Sequence, residues 1–92
     1  MSEYVNMRRA YVTLRSKQGL IKTVYSYFIG ETEDDAVSDH EFMKRIYIEF
    51  YLSEGVKKKY KDRVVHAEKM MKTKELEIIK FKYTDPFGLA KR

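Results

Sequence analysis

The chain contains no cysteine, a single proline and four glycines. Without cysteine there can be no disulfide, no thiolate metal site and no thiol nucleophile. An uninterrupted apolar run of about 18 residues is also missing, which argues against a membrane-spanning helix. The opening residues MSEYVNMRR lack the apolar stretch of a secretory signal, so a cytoplasmic protein with no membrane partner is expected. No glycine-rich phosphate loop and no nucleophile-with-base pattern occurs. These absences point away from an enzyme and from any cofactor. Scarce Gly, Ala and Pro beside abundant Lys, Ile and Tyr is the usage of AT-rich genomes, many phage genomes among them.

What remains suits one small globular domain spanning 1–92. Hydrophobic residues make up 43% and charged residues 36% of the 92 positions, too apolar for a disordered chain. A chain this short buries only about 60% of its unfolded surface, so its core is marginal. The net charge of +5 is unevenly spread. Segment 31–41, ETEDDAVSDHE, holds six acids and no Lys or Arg, leaving 19 bases against 8 acids elsewhere, an excess of 11. A basic body attracts polyanions through its long-range field.

Residues 9–29 read as a β-hairpin. Ala10, Val12 and Leu14 alternate with Tyr11, Thr13 and Arg15, the period of a half-buried strand. Ser16-Lys17-Gln18-Gly19 supplies the turn. Thr32 with Asp35 reads as a capped helix start, and the apolar positions Ala36, Val37, His40 and Met43 carry that helix to about Lys44. RIYIEFYL, residues 45–52, alternates strictly and is read as a strand, with Ser53 as a fresh N-cap. Residues 54–72 form an amphipathic helix with an apolar stripe of Val56, Tyr60, Val64, Ala67 and Met71. LEIIKFKY, 76–83, is a last strand, Asp85-Pro86-Phe87-Gly88 is a turn, and 86–92 is a flexible tail. The expected fold class is α+β, a two-layer sandwich of order ββαβαβ, or ββααβ if 45–52 is helical.

Two surfaces could carry function. VKKKYKDR, residues 56–63, has five bases in eight positions. At about 100° per residue, Lys58, Lys61, Lys69 and Lys72 lie opposite the apolar stripe, flanked by Lys57 and Lys59. Lysines on flexible stems suit phosphate contacts that read no base, although an amphipathic helix needs a charged outer face in any case. If 45–52 is a strand, Tyr47 and Tyr51 lie on the sheet face away from the helices. Lys80 and Lys82 alternate with Phe81 and Tyr83, and Lys22 joins from the hairpin. Tyrosines interleaved with cations are how single-stranded nucleic acids are held; tyrosine is also enriched at protein interfaces.

Catalytic groupings are weak. Asp62 and His66 make an ordinary helix pair, and His40 fits a half-buried structural histidine. Asp35, Asp39 and His40 could be imagined as nuclease metal ligands, but His40 points about 100° from Asp39. The sequence thus predicts a small basic non-enzymatic protein that binds nucleic acid, RNA or single strands. The alternative is a protein-binding regulator or inhibitor, phage-encoded, acting on a host enzyme or nucleic-acid complex through segment 31–41 or the tyrosine face. A homodimer suits either reading, since acidic and basic patches can complement one another across a two-fold axis.

Overall fold

The computed structural model describes residues 4–52, 59–84 and 88–91. It is an α+β fold: a small antiparallel sheet with helices on one face. The elements in chain order are β1 (Tyr4–Ser16), β2 (Ile21–Ile29), α1 (Glu33–Ser38), α2 (His40–Leu52), α3 (Tyr60–Lys72), β3 (Leu76–Tyr83) and β4 (Gly88–Lys91).

Strand β1 is the spine. It pairs with β2 along one side, Met7 opposite Ile29 through Arg15 opposite Ile21. On its other side it pairs first with β4 and then with β3. The hairpin turn falls where the sequence places it. Gly19 takes φ +92°, a conformation that favours a residue without Cβ, and its N–H donates to the Ser16 carbonyl at 2.9 Å. A bulge between Thr13 and Leu14 in the β1–β3 register accommodates one extra residue of β3, Ile79. The expected flexible tail is partly structured, because Gly88–Lys91 adds a short strand beside Tyr4–Met7. The turn at 85–87 lies outside the described residues.

The alternation in β1 and β2 sorts the two faces of the sheet. Ala10, Val12 and Leu14, with Val24 and Phe28, are buried under the helices together with Leu76. Phe28 sits at the centre, its ring 5.6 Å from Phe42, 6.3 Å from Phe81 and 6.0 Å from Tyr83 in edge-on contacts. Such pairs add roughly 0.5–1.5 kcal/mol beyond the area they bury.

The order ββαβαβ does not hold: residues 45–52 are helical, within α2. The reason lies at Asp39. Thr32 caps α1 as expected, with Asp35 N–H donating to Thr32 Oγ1 and Thr32 N–H donating to Asp35 Oδ2. The helix then stops at Ser38, and Asp39 takes an extended conformation. Its carboxylate accepts the N–H groups of Glu41 and Phe42, starting α2. This break resets the helical phase. Phe42, Ile46 and Phe50 become one fully buried stripe, and α2 is apolar on a second side because α3 packs there. A helix buried on two sides carries the dense apolar content that also reads as a strand. His40, as the first residue of α2, is exposed and not part of an apolar stripe.

Two arginines tie neighbouring elements together. Arg45 Nε donates to Ser26 Oγ at 3.0 Å, and Arg45 Nη2 donates to the Tyr27 carbonyl at 2.6 Å. At the end of the sheet, Arg8 donates to the carbonyls of Gly30 and Thr84 and lies over the Tyr83 ring. It thereby ties the end of β2 to the end of β3.

Candidate functional site

The face of the sheet away from the helices is open. Its residues are the odd-numbered positions of β1 and β2, with Glu77, Lys80 and Lys82 of β3. Read across the three strands, Tyr25, Tyr11 and Lys82 form one row, and Thr23, Thr13 and Lys80 form the next. Tyr27 stands opposite Arg9 on the other side. Tyr25 is 53% exposed, Tyr27 45% and Tyr11 36%. Three partly exposed aromatic rings thus share one face of the sheet.

The cations are interleaved with the rings. The Arg9 guanidinium lies 5.4 Å from the Tyr25 ring centre and 5.6 Å from that of Tyr27. Hydrogen bonding to Tyr11 and then to Tyr27 raises the Arg9 pKa above its ordinary value, with burial acting the other way. Arg9 is therefore charged at every working pH. Tyr11 and Tyr25 form a tilted cross-strand pair, 5.7 Å between centres, and Thr13 and Thr23 share a hydroxyl hydrogen bond of 2.9 Å. The only acid among the described open-face positions, Glu77, is bridged to Arg15 at 2.8 Å. Lys80 and Lys82 add positive charge beside the tyrosines, and Arg9 stands among the rings.

The nominated residues separate into groups. Lys80 and Lys82 are exposed and on the open face. Tyr47 and Tyr51 are not on it. Their strand is a helix, so both point into the helical layer. Tyr47 is 4% exposed, and its hydroxyl meets both backbone groups of Leu76, at 3.4 Å to the carbonyl and 3.3 Å from the N–H. Tyr51 is half-buried, its ring 5.3 Å from Phe50 and 4.7 Å from His66. Lys22 also faces the helices, with Nζ 5.4 Å from the Phe50 ring centre.

Lys61, Lys69 and Lys72 are exposed on α3. Lys57 and Lys58 lie outside the described residues, as does Val56 of the expected stripe. The described helix starts at Tyr60, after an extended Lys59. It belongs to the helical layer, with the sheet between it and the tyrosines. The two predicted surfaces are thus separate. Asp35 and Asp39 are engaged as helix caps, and among the described residues no three His, Asp or Glu side chains gather where they could share an ion.

Tyr11, Tyr25, Tyr27 and Arg9 join this face beyond the residues expected from the sequence, and local pattern marks them. The alternation that buries Ala10, Val12 and Leu14 necessarily turns Arg9, Tyr11 and Thr13 outward. No family model, curated protein or solved structure matches this chain. Among the described residues, no helix is long and apolar enough to cross a membrane.

Proposed function

We propose that the protein binds single-stranded nucleic acid, RNA or DNA, on the open face of its sheet, without catalysing a reaction. The observation that carries this reading is the set of three exposed tyrosines, Tyr11, Tyr25 and Tyr27, beside Arg9, Lys80 and Lys82. Bases stack on tyrosine rings at roughly 1–3 kcal/mol each and do so with little sequence preference. Cations at the margin follow the phosphates. Stacking on the rings needs bases that are unpaired and splayed out, so unpaired strands are the substrate this face suits. Lys61, Lys69 and Lys72 supply a general attractive field and not the contact surface. The reading places the protein in the cytoplasm, where single-stranded RNA is abundant.

The test is an anisotropy titration of labelled single-stranded RNA and DNA at low and moderate salt. Three phosphate contacts on a single strand give a slope of log affinity on log salt of about −2, a loss of roughly fifteen- to twentyfold between 50 and 200 mM. Absence of binding at 50 mM salt would sink the proposal.

A second reading rests on a different observation. The same face exposes Ile21 and Ile29, which a phosphate-binding surface does not require. A protein partner covering this face would bury them, and the chain would then act as a regulator or inhibitor of that partner. Such binding survives salt where polyanion binding collapses.

A further inference from the structure

The two outer edges of the sheet are protected unequally. On the β3 side the edge strand carries a bulge at Ile79. Bulges discourage a further strand from adding there. Strand β2 has none. Among the described residues it pairs with β1 alone, runs for nine residues as IKTVYSYFI, and keeps an unbroken register throughout. Its one charged residue, Lys22, is folded over Phe50 and does not guard the edge.

The hydrogen-bond phase shows which groups that edge presents. Ser16 N–H donates to the Leu20 carbonyl, so even-numbered residues of β2 turn their backbone groups toward β1. In an antiparallel strand the alternate residues turn theirs the other way. Ile21, Thr23, Tyr25, Tyr27 and Ile29 therefore point outward. The Tyr27 carbonyl is taken by Arg45, whereas the outward groups of Ile21, Thr23 and Tyr25 have no hydrogen-bond partner among the described residues.

We propose that β2 pairs antiparallel with β2 of a second copy, about a two-fold axis through Thr23, making one continuous sheet across the dimer. In this register Ile21 stands opposite the partner's Tyr25, and Thr23 opposite the partner's Thr23. All three open residues gain partners, and pairing ends before Tyr27, where Arg45 already sits. The cross-strand neighbours on the open face are an Ile–Tyr apolar pair, repeated by symmetry, around a central Thr–Thr pair like the Thr13–Thr23 pair within one chain. The open segment Ile21–Tyr25 is symmetric about Thr23 and is bounded by Arg45 at Tyr27, so a second copy meets each of its outward groups with the same set turned by the two-fold axis. The dimer would double the tyrosine platform, yet it does not depend on nucleic-acid binding.

Sedimentation equilibrium of the protein alone, with no nucleic acid, measures the association. The wild type is expected to be a reversible dimer. Thr23→Pro removes an outward N–H, which an edge strand tolerates within the monomer but a new ladder does not. Thr23→Lys places two like charges face to face across the axis. Each is expected to raise the dimer Kd at least about tenfold while leaving the circular dichroism spectrum unchanged. Hydrogen exchange on the wild type gives a readout that needs no variant: the amides of Ile21, Thr23 and Tyr25 should exchange fast in dilute protein and slowly in concentrated protein. A wild type that stays monomeric overturns the proposal. So does a dimer in which those three amides remain fast, or one that persists in both folded variants.

Discussion

Tyr47 and Tyr25 have the same side chain and opposite roles, and the difference is which face of which element carries them. Burial raises the Tyr47 pKa above its ordinary 10.0, the hydrogen bond to Leu76 opposing this. A folded pKa above the unfolded one means that the unfolded chain ionises first. The contribution of Tyr47 is therefore complete below pH 10 and is lost as pH climbs through the higher folded value. Tyr47→Phe leaves two backbone groups of Leu76 without a partner, so denaturant titration at neutral pH should show a loss of about 1–3 kcal/mol. The variant's stability should also fall less steeply above pH 10 than that of the wild type. On the open face, Tyr25→Ala should leave stability within about 1 kcal/mol while weakening single-stranded RNA binding roughly five- to a hundredfold. A variant that loses stability and keeps affinity would remove Tyr25 from the site.

At the scale of elements, two short segments govern how the helical layer sits. Gly30, at φ +152°, turns the chain from β2 into α1, and a Cβ there would come within 2.9 Å of Asp35 Cβ. That Asp35 side chain accepts the N–H groups of both Glu31 and Thr32, so a larger residue at 30 would disturb the first helix cap. Asp39 holds the junction between α1 and α2. Asp39→Ala should lower stability by about 1 kcal/mol, with a lower denaturant midpoint at unchanged m, whereas Asp39→Asn should retain most of it. Equal losses in the two variants would show that capping is not what Asp39 contributes.

For the molecule as a whole, the question is which basic surface matters. Lys80 and Lys82 lie beside the tyrosines; Lys61 and Lys69 lie on the helical layer, with the sheet between them and the rings. Reversing Lys80 and Lys82 together to glutamate should nearly abolish RNA binding and flatten its salt dependence. The pair Lys61→Glu and Lys69→Glu makes the same change in net charge, yet should weaken binding only a few-fold, through the long-range field. If the two double variants lose affinity equally, charge alone governs binding and the tyrosine face has no special part. If the helix variant loses more, the site belongs to α3.

Local pattern by itself determined a good part of this protein. The hairpin, its Gly19 turn, the Thr32 cap and the bounds of β3 follow from periodicity and turn chemistry within a few residues. The alternation in β1 already divided Tyr11 and Arg9 from Ala10 and Val12. Lys80 and Lys82 fall on the open face because β3 is a strand on local grounds. Only the tertiary structure decided RIYIEFYL. That segment satisfies a two-residue period, and it also satisfies a helix with apolar groups on two sides; α3 packing against α2 supplies the second buried side. Tyr47 and Tyr51 followed their segment into the helical layer. The short strand Gly88–Lys91 was likewise beyond local pattern, since it exists by pairing with Tyr4–Met7 at the other end of the chain. Contacts between residues distant in sequence made both choices, and no short window contains them.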